Sequence, residues 1–210
     1  PNGTVTINPD GTIMFTPNPN FNGPTTISYT ISDGNGGTST ATVDVNVAAI
    51  NDAPTADPPL SPQTNSDSDP VNFDVSPNFA DLDGDTLAFS ATGLPPGATI
   101  SAAGVITGPL DNSASQGGPN GDGIYIVTVT ANDGNGGTVS STFTWTVTNP
   151  APAATNDIAV TNEDMPVTIP VLTNDNDPDS DALTVINASA PNGTVVINPD
   201  GTITFTPNPN

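Results

Sequence analysis

A chain of 210 residues has room for about two ordinary domains, and its 22 acidic residues against no lysine, arginine or histidine give a formal charge of -22. With no cationic side chain there is nothing to neutralise phosphates, which excludes a nucleic-acid partner. Catalysis likewise lacks an imidazole base, an amine or thiol nucleophile and a guanidinium. Cysteine usage leaves the compartment open, and no apolar run approaches the roughly 18 residues of a membrane span, so no membrane insertion is expected.

Paired carboxylates are the one catalytic device left, and among so many acids some pair meets a glycosidase spacing by chance. The chain therefore reads as no enzyme. Because every ionised side chain repels every other, folding calls for screening, protonation or a bound divalent cation.

Taken in chain order, the pattern is strand after strand with no helical period. Val5 and Ile7, the turn Pro9-Asp10-Gly11, then Ile13 and Phe15 read as a β-hairpin. Ile27, Tyr29 and Ile31 alternate with polar residues, and beyond Asp33-Gly34-Asn35-Gly36-Gly37 come Ala41, Val43, Val45 and Val47, a second, half-buried hairpin. Tyr125, Val127 and Val129 followed by Phe143, Trp145 and Val147 repeat it, which puts the single tryptophan, with Tyr125 and Phe143, on the inward face. Val195 and Ile197, the turn Asn198-Pro199-Asp200-Gly201, then Ile203 and Phe205 restate the first hairpin. Short strands with turn signals every 8 to 12 residues predict an all-β fold of Greek-key sandwiches.

The chain is also repetitive. Residues 191–210 copy residues 1–20 at an offset of 190, differing only at Thr6 against Val196 and Met14 against Thr204. Asp33-Gly34-Asn35-Gly36-Gly37-Thr38 recurs 100 residues later as Asp133 to Thr138, and Asp81-Leu82-Asp83-Gly84-Asp85 is answered 96 residues later by Asp177-Pro178-Asp179-Ser180-Asp181. A unit of about 95 to 100 residues divides the chain into a C-terminal half-module at 1–50, a complete module at 51–150 and an N-terminal half-module at 151–210. Appending 21–50 after 210 would restore a whole module. The expectation is that modules continue on both sides, or that neighbouring chains complete the halves head to tail, an open arrangement that gives filaments.

Asp81, Asp83 and Asp85, and again Asp177, Asp179 and Asp181, place three carboxylates within five residues, and hard oxygen ligands in that density suit Ca²⁺. In a seven-stranded module these segments join the second and third strands, while the Asp-Gly-Asn-Gly-Gly turn joins the last two. Both loops then lie at the end where the entering linker begins. That brings Asn51, Asp52 and Asp133 beside the first triad, and Asn156 and Asp157 beside the second. An EF-hand fails, since its twelfth position falls on Thr92 and Ala188 rather than Glu. A solvated turn is the competing reading, and for Asp33 and Asp133 the two stand level.

The stretch Asn174 to Asp181, the run 191–207, Phe21-Asn22-Gly23 and Ser32 to Gly37 resemble the tandem cadherin-like repeats of giant bacterial surface proteins and adhesins. Gly93-Leu94-Pro95-Pro96-Gly97-Ala98-Thr99-Ile100 with Gly104 to Gly108 is similar to the dystroglycan-type cadherin-like, immunoglobulin-like repeat. Together the two similarities span nearly the whole chain. They imply an extracellular or cell-surface location, calcium as the bound ion, neighbouring repeats as partners, and a spacer or adhesive role. The leading expectation is a calcium-stiffened stalk. The alternatives are a self-assembling filament or sheath subunit and a glycan- or protein-binding module.

Overall fold

The computed structural model describes residues 2–209, and its strands fall in two compact units, Pro1–Asp52 and Ala53–Asn210. The first unit holds two hairpins. Strands β1 (Gly3–Ile7) and β2 (Ile13–Pro17) pair antiparallel around the Asn8 to Gly11 turn, and β3 (Gly23–Ser32) pairs with β4 (Thr38–Val47) over ten residues each. Among the described residues of this unit, Ile27 is the one buried side chain. Alternation correctly names the faces of these hairpins, but the faces stay largely uncovered: Val5 is 49% exposed, Ile31 62% and Val43 44%.

The second unit opens with a sandwich. Its strands are β5 (Thr55–Ala56), β6 (Gln63–Ser66), β7 (Pro70–Asp74), β8 (Phe79–Ala80), β9 (Ala88–Thr92), β10 (Thr99–Ile100), β11 (Val105–Pro109), β12 (Ile124–Asn132) and β13 (Thr138–Thr148). One sheet runs β6-β13-β12-β9, with β6 parallel to β13, the other runs β10-β11-β7, and β5 and β8 form a small pair beside them. Strand β6, the first of the two main sheets, thus lies against the last, β13, as in an immunoglobulin-like fold.

The inward positions of both sheets meet in one core. Val75, Ile106, Val127, Val129 and Trp145 are fully buried, and Phe73 of one sheet meets Phe143 of the other edge-on at 5.9 Å. Tyr125 and Phe143 are buried as their alternation predicts, while Ile124 and Ile126 on the opposite face remain exposed. Buried polar tips are satisfied: Trp145 Nε1–H donates to Asn65 Oδ1 at 3.0 Å, and the Tyr125 hydroxyl donates to the Ala114 carbonyl at 2.6 Å.

Beyond Thr148 come β14 (Val167–Ile169), β15 (Gly193–Ile197) and β16 (Ile203–Pro207), in a sheet ordered β14-β16-β15. The β15–β16 register, Gly193 opposite Pro207 through Ile197 opposite Ile203, repeats the β1–β2 register of Gly3 opposite Pro17 through Ile7 opposite Ile13. No apolar side chain described between 151 and 209 is buried; the buried ones there are Asp177 and Asp179.

Candidate metal centre

Two carboxylate triads stand out. The oxygens of Asp81, Asp83 and Asp85 lie within 4.8 Å of one another, and so do those of Asp177, Asp179 and Asp181. The local chain explains the convergence. In the first loop Asp81 Oδ1 accepts the backbone N–H of Asp83 at 2.9 Å and of Asp85 at 3.1 Å, curling the loop around its own first residue. In the second, Asp177 Oδ1 accepts the N–H of Asp179 at 3.2 Å and of Asp181 at 3.3 Å. Gly84 at φ +81° and Ser180 at φ +68° supply the left-handed step that both loops need.

Turn chemistry does not account for the remaining oxygens. Asp81 Oδ2 and both carboxylate oxygens of Asp179 are buried and receive no hydrogen bond, an arrangement that native proteins avoid without a compensating partner. Asp179 is 3% exposed. The hydrogen bond that Asp179, once protonated, would donate to the Asp177 carboxylate, then burial, push the Asp179 carboxyl up to about 6, with repulsion from Asp177 and Asp181 adding to it. The same contact, seen from the other side, holds Asp177 below the ordinary carboxylate range.

The Asp-Gly-Asn-Gly-Gly loop between β12 and β13 meets the first triad. Asn135 Nδ2 donates to Asp85 Oδ2 at 2.8 Å, while buried Asp133 accepts the N–H groups of Asn135 at 2.8 Å and Gly137 at 2.9 Å on Oδ1. Gly137 is required by close approach: a Cβ there would strike Asp133 Oδ2 and come 2.8 Å from the Ala53 Cα. The chain entering the module therefore lies against this loop at Ala53, directly after exposed Asn51 and half-buried Asp52.

At the second triad the entering chain is held by other groups. Ala153 bridges Asn176, Asp175 Oδ1 accepts the Thr155 N–H at 2.7 Å, and Asn174 Nδ2 donates to the Asn156 carbonyl at 3.4 Å. Asn156 is thereby beside the loop, whereas the Asp157 side chain is exposed. Asp33 is exposed too. Its Oδ1 accepts Asn35 N–H at 2.8 Å and Gly37 N–H at 2.9 Å, and those two bonds hold its carboxyl below the ordinary range. Among the described residues, Asp33, Asp52, Asp133 and Asp157 join neither triad.

Asp67 gave no signal in the sequence. It is buried, accepts the Ser115 N–H at 2.7 Å on Oδ1 and leaves Oδ2 buried without a hydrogen bond. Its Ser-Asp-Ser-Asp context reads like any solvated turn; the burial comes from a segment 48 residues away.

A calcium ion takes six to eight oxygen ligands from carboxylates, carbonyls and water. Three converging carboxylates, with oxygens that no N–H or O–H satisfies, fit that demand at both loops. Nothing in either loop offers the nitrogen or sulfur ligands of zinc or copper.

A family model described as bacterial Ig domain matches residues 1–46 and 149–210, and one described as "Putative Ig domain" matches residues 53–148. Among solved structures, PcdhgB3 EC1-4 is 16% identical, with 98% of this chain and 55% of that chain covered and a TM-score of 0.51. Drosophila N-cadherin EC1-4 is 14% identical over 97% of this chain and 54% of that one, at a TM-score of 0.40. An endo-fucoidan hydrolase of glycoside hydrolase family 107 is 17% identical over 99% of this chain and 33% of that one, at 0.41. The chain spans a third to about half the length of these structures, and the likeness to PcdhgB3 EC1-4 is one of fold alone. No curated protein matches it.

Proposed function

Because this chain belongs to the bacterial Ig domain family, we propose that its immunoglobulin-like and cadherin-like repeats act as calcium-stiffened spacers in the stalk of a secreted or cell-surface protein. The proposed modules are 1–50, 51–150 and 151–210, the outer two being halves. The observation that carries the reading is the pair of triads, set in corresponding loops, in which buried Asp81 Oδ2 and both oxygens of Asp179 receive no hydrogen bond. Such oxygens repel one another and have no cationic side chain anywhere in the chain to relieve them.

Bound calcium would supply two positive charges at the point of greatest carboxylate density. Asp81, Asp83 and Asp85 would hold one ion, and Asp177, Asp179 and Asp181 another. Asn135 braces the first loop, Asp133 shapes the turn that carries Asn135, and Asn174 and Asp175 grip the chain entering at the second. Each triad thus sits beside an entering linker, so occupancy would stiffen the joint as well as the loop. A catalytic role has no support, and an aromatic binding platform is disfavoured because Trp145, Tyr125 and Phe143 are buried.

Titration calorimetry with calcium and magnesium, paired with small-angle scattering of the same samples, tests the reading. Saturable calcium binding with a loss of interdomain flexibility is expected, with magnesium failing to substitute. Absence of binding up to about 10 mM calcium, weaker than extracellular calcium modules require, would remove it.

A further inference from the structure

We infer that Asn135 is a site of spontaneous deamidation, by attack of the Gly136 backbone nitrogen on its side-chain amide, and that the product carboxylate joins Asp81, Asp83 and Asp85 in holding calcium. The modification stands on the loop's own geometry, while its effect on the ion rests on the calcium reading above.

In the 133–137 loop all backbone N–H groups but one are engaged. Asp133 N–H donates to the Gly137 carbonyl at 3.2 Å, Gly134 N–H to Asn132 Oδ1 at 2.7 Å, and the N–H groups of Asn135 and Gly137 to Asp133 Oδ1 at 2.8 and 2.9 Å. Among the described residues, the Gly136 N–H meets no acceptor. That nitrogen, directly after the asparagine, is the nucleophile deamidation requires. Its access is open: Asn135 and Gly136 are exposed to water, and a Cβ at Gly136 would meet nothing within 4 Å. Glycine therefore leaves the attack without a steric shield.

The reaction consumes water alone. The Gly136 nitrogen bonds to Asn135 Cγ, the Cγ–Nδ2 bond breaks, and the proton of the attacking nitrogen leaves with the amide group as ammonia. Water then opens the resulting succinimide. Cleavage of its Cγ–N bond leaves aspartate at 135, and cleavage beside the former backbone carbonyl leaves isoaspartate. Either product places a new negative charge in the loop.

Asp85 governs both the rate and the consequence. Asn135 Nδ2, the leaving group, donates to Asp85 Oδ2 at 2.8 Å, a charge-assisted bond that latches the side chain across to the other loop. The 33–37 loop is the same pentapeptide, with Asn35 and Gly37 N–H on Asp33 Oδ1 at 2.8 and 2.9 Å, but Asn35 Nδ2 reaches only its own Asp33 carbonyl at 3.4 Å. One chain thus carries a latched and an unlatched copy of one sequence. Once the latched amide is lost as aspartate, an oxygen stands where Nδ2 stood, against Asp85 Oδ2, and no cationic side chain exists to part the two charges. A divalent ion parts them by taking both as ligands, and calcium affinity rises with the charge of the ligand set.

Peptide mapping by mass spectrometry tests this on the full chain held at mildly alkaline pH in chelator, with chymotrypsin as the protease because trypsin has no lysine or arginine to cut at. Asn35 and Asn135 should each gain about 1 Da, Asn135 more slowly by about tenfold, the worth of one charge-assisted hydrogen bond. Asp85→Ala, which keeps the backbone N–H at 85 on Asp81 Oδ1, should bring the two rates together, and Asn135→Gln should leave that position intact. Asn120–Gly121 of the same module, where Gly121 N–H donates to the Gly118 carbonyl at 3.2 Å, reports unfolding and should keep its parent rate. An Asn135 still intact in Asp85→Ala after Asn35 has converted overturns the inference. An unchanged ratio of the two rates, or an equal acceleration at Asn120, overturns the latch. Calorimetry then titrates calcium into the parent and Asn135→Asp: binding about tenfold tighter in the variant is expected, and equal affinity overturns the ligand role. If neither binds calcium, the calcium reading falls and the ligand role with it, while the mass measurement judges the modification by itself.

Discussion

Replacing Asp81 by Asn separates charge from geometry at the first triad. The Oδ1 of Asn can still accept the N–H groups of Asp83 and Asp85, as Asp81 Oδ1 does. The new Nδ2 occupies the place of a buried oxygen that receives no hydrogen bond, and it offers a donor to the neighbouring carboxylates. Without calcium the variant should therefore melt at or above the parent temperature. With 10 mM calcium and the dissociation constants of about 10⁻⁴ to 10⁻³ M usual for extracellular modules, linkage stabilises the parent by about 1.4 to 2.7 kcal/mol per site. For a module of about 100 residues that corresponds to roughly 6 to 20 °C. Calorimetric melts in calcium, magnesium and chelator should show this increment in the parent and its loss in Asp81→Asn. Coincident parent melts within about 1 °C would refute the argument, and so would a variant that keeps the full increment or falls well below the parent in chelator.

The second triad carries a pH signature. Because the Asp179 carboxyl is raised from 3.8 to about 6 by Asp177 and burial, its contribution to stability is present below the unfolded value and lost as pH rises through about 6, while Asp177, held low, offsets some of this. Calcium should displace the Asp179 proton, so calorimetry in buffers of different ionisation heat should read release of up to about one proton per ion at pH 5 and none at pH 7.5. In the core, fully buried Ile106 changed to Ala should cost about 2 to 5 kcal/mol by urea titration; a loss under about 1 kcal/mol would mean that the sandwich is not close-packed there. Gly93→Ala should cost more than Gly84→Ala: both hold positive φ, but a Cβ at Gly93 strikes the Ile126 carbonyl while none lies within 4 Å at Gly84.

Much of this architecture was legible because alternation and turn chemistry act locally. The β12–β13 hairpin, the inward set of Tyr125, Val127, Phe143 and Trp145, and the convergence of the Asp81 and Asp133 loops all follow from strand period and strand order. Period names the face of a strand and leaves open whether anything covers it, which is why Val43 and Ile197 read as core and stand exposed. The Asn135 bridge to Asp85 spans 50 residues and the Asp67 bond to Ser115 spans 48. No local pattern encodes such contacts. Asp33 and Asp133 share one sequence and one internal geometry, yet one is exposed and the other buried. Only the neighbouring triad distinguishes them.

The parallel pairing of β6 with β13, from Gln63 opposite Trp145 to Ser66 opposite Thr148, sets how the sandwich would respond if its two ends were pulled apart. The chain enters ahead of β6 and leaves after β13, so traction on the two ends draws these neighbours past each other along their length. The rungs of a parallel ladder run across that direction and are strained together, where a hairpin pulled from its open end would unzip rung by rung. The Trp145 Nε1 bond to Asn65 lies inside the same patch and resists the same sliding. Rupture of this ladder would then require all four residue pairs to fail together, once the short β5–β8 pairing ahead of it had given way.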